Sequence, residues 1–292
     1  MRRFCCFLWL TLVLSAVTGA CVKKVETLPA AAAKKRAQTA SREDLVALIN
    51  RRYGGVQSIQ YGRMEVRVEG YYSEQEKKES YPKGSGYVVM KRPHWILMNV
   101  TNPLTHSTVA SMAANGATFQ LFVPGENKYV TGPVDVASEG ENPFYHIRPQ
   151  HVAQAVFIRP LEQLPARSFF VYEESDNLFS YYVIAELENV PSAPWMARRL
   201  WVERSALRLV RQQEYGENGA LLSDAVYNSE ARVNGIPVLL DVDLLRPADG
   251  YRLHFTFDVA ASKINEPVED SAFVVNRPPG AELVEVRAKA AP

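Results

Sequence analysis

The chain has 292 residues, 47% hydrophobic and 22% charged, with 33 lysines and arginines against 32 acidic residues and a net charge of +1. That balance excludes a disordered chain and a multi-span membrane protein, and the lack of a basic excess argues against nucleic-acid binding. The three cysteines, Cys5, Cys6 and Cys21, crowd the first 21 residues, so the body holds neither a disulfide framework nor a cysteine-based zinc site.

Arg2 and Arg3 precede a mostly apolar run, Phe4 to Val17. As a helix it would span about 21 Å, short of a ~30 Å hydrocarbon core. Charge, a short apolar stretch and the small residues Thr18-Gly19-Ala20 predict a secretory signal over residues 1–20. Cys21 follows directly. A cysteine there resembles the lipobox of bacterial lipoproteins, although Thr18 stands where a branched apolar residue is usual. The resemblance implies diacylglycerol on the Cys21 thiol and cleavage before it. The alternative is an ordinary signal peptide with an incidental cysteine. Val22, in place of an aspartate, implies delivery to the outer membrane. Removing the signal takes away two arginines and no acid, which brings the net charge to −1. Residues 21–40, with Ala30 to Ala33 and interspersed lysines, read as a lipid-anchored tether of roughly 25 Å reach.

Ser41 opens the folded part as a helix N-cap, with Glu43 and Asp44 in the first turn. Leu45, Leu48, Ile49 and Tyr53 recur at helical spacing, and Gly54-Gly55 ends the segment. The period then switches to two. Met64, Val66 and Val68 alternate with charged residues, as do Phe119, Leu121 and Val123 with their neighbours. Val238, Leu240, Val242 and Leu244 do so too, followed by Leu253, Phe255, Phe257 and Val259. Such alternation predicts antiparallel strands with one dry and one wet face. Turn signals at Pro82-Lys83-Gly84, Asn115-Gly116, Pro124-Gly125, Asn218-Gly219, Asn234-Gly235 and Asp249-Gly250 separate about eleven strands between Tyr61 and Val275. Pro149 starts a short helix over Gln150 to Ile158. The expected fold is mostly β (α+β), one strongly curved antiparallel sheet over residues 41–275 with helices on its apolar side, then a Pro-rich tail, 276–292.

Signatures of catalysis are scarce. There is no Gly-x-Ser-x-Gly elbow, phosphate-binding glycine loop or His-Glu-x-x-His. His146 and His151 lack metal-ligand spacing and read as structural or exposed; Asp241 and Asp243 read as a solvated outer face. No enzyme, metal or cofactor is expected. Of 30 aromatic residues only three lie in the signal. A wide apolar sheet face can close over a ligand or over itself, and periodicity leaves both readings open.

The stretch Asn99-Val100-Thr101-Asn102-Pro103-Leu104-Thr105-His106 resembles the outer-membrane lipoprotein receptor family LolB, in which an apolar strand ends in Thr-Asn-Pro-Leu. The order of elements agrees from Ser41 to about Leu161. The resemblance implies an incomplete antiparallel barrel with a helical lid, shared with the periplasmic LolA-like carriers, whose interior holds acyl chains. On that basis Met64, Val66, Val68, Phe119, Leu121, Leu240, Val242, Phe255 and Phe257 are the acyl-binding candidates. Leu104, thrust out beside Pro103, is the membrane-touching residue. The expected partners are acyl chains of lipoproteins or other lipids, the inner leaflet of the outer membrane and a LolA-like carrier, with the protein itself a monomer. Pro103 cannot donate to a ladder, so the residues around it leave the sheet on physical grounds too. A structural or regulatory envelope lipoprotein binding a protein partner is the rival reading. An enzyme on envelope lipids or glycans would need clustered buried polar groups, which the alternation does not suggest.

Overall fold

The computed structural model describes residues 37–72, 77–134, 146–162, 167–189 and 193–286. Cys21, the signal and the tether up to residue 36 lie outside the described residues.

Helix α1 (Arg42–Tyr53) starts as its sequence dictates. The Ser41 hydroxyl accepts from the Asp44 amide at 3.1 Å, and the Asp44 carboxylate accepts from the Ser41 amide at 3.1 Å. This reciprocal cap satisfies donors that the first helical turn would leave orphaned, and the hydrogen bonds from Ser41 hold the Asp44 pKa below its ordinary value. Leu45, Ile49 and Tyr53 form its buried stripe.

Sixteen strands follow among the described residues: β1 (Ser58–Tyr72), β2 (Lys77–Ser80), β3 (Gly84–Lys91), β4 (Trp95–Thr101), β5 (Thr108–Ala114), β6 (Thr118–Val123), β7 (Lys128–Pro133), β8 (Arg167–Ser175), β9 (Ser180–Glu188), β10 (Trp195–Glu203), β11 (Arg208–Tyr215), β12 (Leu221–Val233), β13 (Ile236–Arg246), β14 (Tyr251–Phe257), β15 (Ser262–Ile264) and β16 (Glu282–Glu285). Helix α2 (Pro149–Val156) lies between β7 and β8, with Pro149 in its first turn. The count exceeds the expected eleven for physical reasons. The β3–β4 and β8–β9 connections turn without glycine, and β2, β15 and β16 are too short to show a period.

All strands join one sheet, in the order β16-β7-β6-β5-β4-β3-β1-β14-β13-β12-β11-β10-β9-β8. Strand β1 is the hub, paired with β3 and β2 along one edge and with β15 and β14 along the other. At its register shift between Tyr61 and Met64, β3 comes so close to β4 that a Cβ on Gly86 would lie 1.9 Å from the Asn99 carbonyl oxygen. Only glycine fits there. Every pairing is antiparallel except the last. Strand β16 runs parallel to β7, with Leu283 opposite Tyr129, so the sheet extends past the expected domain end at Val275 into the Pro-rich segment.

Strands β8 and β16 are the two edges of this path, so the sheet is an open, curled one: the alternation predicts the curved antiparallel sheet, and the family resemblance implies that it stays open. Helix α2 packs on β4 and β5 and also on β13, strands from opposite sides of β1, while α1 packs on β13. The helices therefore lie in the trough of the curl. Residues 157–162, which follow α2, are pinned beside them. Asn50 exchanges two hydrogen bonds with the Leu161 backbone (3.0 and 2.7 Å), and Arg92 donates to the carbonyls of Val56, Tyr53 and Ile158.

Candidate functional site

The turn between β4 and β5 is built by Asn102. Its side-chain oxygen accepts from the amides of Leu104 (2.9 Å) and Thr105 (3.1 Å), and its carbonyl accepts from the His106 amide at 2.9 Å. His106 has a φ of 56°, and the Thr105 and Ser107 hydroxyls lie 2.8 Å apart. These bonds fix the tip, so Leu104 cannot fold back on the core: it is 88% exposed, and Pro103 is exposed beside it. A second turn follows the same plan at the other end of the strands. The Asp176 side chain accepts from the amides of Leu178 and Phe179, both at 2.7 Å, and leaves those two apolar residues exposed between β8 and β9. Sequence reasoning missed this tip, though Asp176-Asn177 was a turn signal of the same kind.

The acyl-binding candidates do converge on the inner face. Val242 lies opposite Phe255, and Phe255 opposite Val66; Met64 faces Phe257, whose ring stacks on Tyr61 at 4.0 Å. Val68 sits one step along β1, and Phe119 and Leu121 line the same core from β6. All eight are buried, with Met64, Phe119 and Val242 at 0% exposure. The trough is filled by Val152, Ala153, Ala155 and Val156 of α2, by Phe157, Ile158 and Leu161 after it, and by the α1 stripe. Leu240 departs from the rest. The β12–β13 register shifts on both sides of Ser229, which breaks the alternation at Leu240 and leaves it only partly buried.

Periodicity gave no warning of a row of charges across the same inner face. Phe169, Glu186, Arg198, Glu214 and Ser223 are successive partners from β8 to β12, and Arg246 and Tyr251 pair further along. Arg198 is 1% and Glu186 4% exposed. Arg198 Nε donates to Glu186 Oε2 at 2.9 Å and its Nη1 to the Arg159 carbonyl at 2.9 Å, while Arg159 Nη2 lies 3.1 Å from Glu186 Oε1. Burial pushes the Arg198 pKa down, and the Glu186 carboxylate opposes that shift. One signal could have revealed the row: Arg198-Arg199 are consecutive in a central strand, so one of the two must point inward whichever way the strand is set.

The histidines are structural. His151 Nδ1 lies 2.7 Å from the Tyr251 hydroxyl, and burial drives its pKa well below 6.5; His146 Nδ1 lies 3.2 Å from the Asp249 carbonyl. Asp241 and Asp243 are on the outer face, beside His254 and Arg252. Among the described residues no group of three His, Cys, Asp or Glu side chains is arranged to hold a metal, and no helix is long and apolar enough to cross a membrane.

No protein-family model matches the chain, and no curated protein matches its sequence. Solved structures do. A DUF1329-family protein from Desulfovibrio piger superposes with a TM-score of 0.51 at 12% identity, over 79% of this chain and 95% of its own. A LolA-superfamily protein from Nitrosomonas europaea gives 0.48 at 14% identity, over 81% and 99%. A protein domain from Vibrio parahaemolyticus described as outer membrane lipoprotein-sorting gives 0.49 at 11%, over 78% and 94%. The first shows a shared fold, and identities this low speak to fold alone.

Proposed function

We propose that this chain is an outer-membrane lipoprotein, anchored at Cys21 and facing the periplasm, that holds acyl chains of lipoproteins in its trough and helps insert them into the membrane. The observation that carries the reading is Leu104, an aliphatic side chain kept in solvent by a turn hydrogen-bonded to do so. Entering an apolar phase contributes only about 1.5–3 kcal/mol for one leucine, enough to touch a bilayer and too little to anchor there. Anchoring falls to the acyl groups on Cys21. A LolA-like carrier would supply the cargo. The role is one of binding, with no catalytic step or cofactor.

The need for such a trough follows from magnitudes. Each acyl CH₂ in water costs about 0.8 kcal/mol, so a long chain costs roughly 10 kcal/mol or more. In the arrangement seen here α1, α2 and residues 157–162 occupy the place an acyl chain would take, so cargo must displace them. Burying the chain would offset part of the apolar area they surrender.

Leu104→Glu tests the reading. We expect lipoprotein delivery to the outer membrane to fail while folding and uptake of an acylated peptide persist; unchanged delivery would refute the role of Leu104. The filled trough favours a second reading, an envelope protein that binds a protein partner. Mass spectrometry of the purified chain separates the two, since the first predicts co-purifying lipid or acylated peptide and the second a stoichiometric protein complex with no lipid.

A further inference from the structure

The two edges of the sheet differ. Strand β16 is four residues long and begins and ends on glutamate, a short charged edge of the kind that discourages further pairing. Strand β8 is nine residues long and keeps its register with β9 from Arg167 to Ser175 without a bulge. Its middle, Ser168-Phe169-Phe170-Val171-Tyr172, carries no charge, proline or glycine. Among the described residues only β9 pairs with it. A long, regular, uncharged edge is a template for another strand.

The β8–β9 hairpin fixes what that edge offers. The Asp176 amide donates to the Phe179 carbonyl at 3.0 Å, which makes these two a hydrogen-bonded pair. By the unbroken register, Glu174, Tyr172, Phe170 and Ser168 then turn their amides and carbonyls toward β9. Arg167, Phe169, Val171 and Glu173 turn theirs to the open side. The side chains follow the same parity. Phe169 shares the inner row with Glu186, whereas Phe170 projects from the outer face and is 48% exposed, its ring 5.8 Å from that of Tyr172. The middle of the edge thus offers open backbone groups and an unburied phenyl ring side by side.

The sequence of the strand selects the partner. Run antiparallel to itself about Phe170, β8 sets Phe170 against Phe170 of a second copy, Phe169 against Val171, and Arg167 against Glu173. In this register the outward-turned backbones face one another, and opposite charges meet at both ends. The Arg167 and Glu173 side chains are 33% and 60% exposed, although Glu188 and Arg204 hold them within their own sheet. A centre at Val171 would instead set Glu173 against Phe169, and a centre at Phe169 would set Arg167 against Val171.

We propose that β8 is a dimerisation edge, pairing antiparallel with β8 of a second copy of this chain in the register that closes Phe170 on Phe170. The two sheets become one across a two-fold axis, in place of the expected monomer. The proposal does not depend on whether the trough holds an acyl chain.

The test is sedimentation of the full chain in detergent. The native chain should be a dimer at micromolar concentration. Phe170→Glu, which sets two carboxylates on the two-fold axis and alters an exposed site in the monomer, should weaken the dimer by about tenfold or more. A native chain that sediments as a monomer overturns the proposal, whether a segment of this chain or another protein covers the edge. A dimer that Phe170→Glu leaves unchanged overturns it too. Cysteine cross-linking reads the register without needing that variant to fold, with the native chain as background. Phe170→Cys should link to itself, because facing residues of a non-hydrogen-bonded pair lie about 4.5 Å apart at Cα, within disulfide reach. Ser168→Cys and Tyr172→Cys should link only when mixed. Phe170→Cys at background, or Ser168→Cys linking alone as well as it does in the mixture, overturns the pairing.

Discussion

The two halves of the inner face, on either side of β1, are built from different materials. From β3 to β7 the strands present a mostly apolar face, with Val88, Met90, Ile96, Met98, Met112, Phe119, Leu121 and Val130 buried and the Arg148 guanidinium 4.2 Å over the Phe119 ring. From β8 to β14 apolar rows are capped by the row containing Glu186, Arg198 and Glu214. The first half can tolerate loose packing with any apolar neighbour, because dispersion and burial are non-directional. The second half demands geometry, because each buried charge needs its partner.

The difference can be broken most forcefully at Glu186. Glu186→Leu leaves Arg198 buried and uncompensated, and urea unfolding should show a loss of about 3–5 kcal/mol. Adding Arg198→Met should recover most of it; a double variant as unstable as the single one would mean that shape, not charge, governs this half. In the apolar half, Met112→Ala should cost about 3 kcal/mol through the cavity it leaves, with no dependence on pH.

Glu214 sharpens the contrast. Burial raises its folded-state pKa above 4.5, so the native protein binds the proton more tightly than the unfolded chain. Its contribution to stability is therefore fully present below about pH 4.5 and is lost as pH rises through the folded-state value. Glu214→Gln should remove this slope from the stability–pH profile and raise stability at neutral pH. The smallest effect belongs to Leu104→Glu, whose exposure predicts a change within about 0.5 kcal/mol in thermal or urea unfolding.

Much of the local structure was legible in the chain. Ser41, the spacing from Leu45 to Tyr53 and Gly54-Gly55 located α1; Pro149 located α2; and Asn102-Pro103 located the Leu104 turn, because capping, proline geometry and turn chemistry act over a few residues. The charged row was not legible, because Glu186, Arg198 and Glu214 meet only through strand pairing, and their separate strands hold charges that read equally well as outward. Leu240 is only partly buried for a related reason: register irregularities between β12 and β13 interrupt the alternation in a way that local sequence cannot reveal.

Strand β16 has a consequence for how the molecule is made. It closes the β7 edge with the last few residues described, in parallel register, and Tyr129 also donates to the Val275 carbonyl at 2.9 Å. During synthesis the β7 edge must wait, bare of its β16 partner, while some 150 intervening residues are made, since β16 lies about that far downstream. An unpaired edge is sticky toward other chains. Strand β16 thus works as a late-arriving seal, and trimming it would show itself first as clumping.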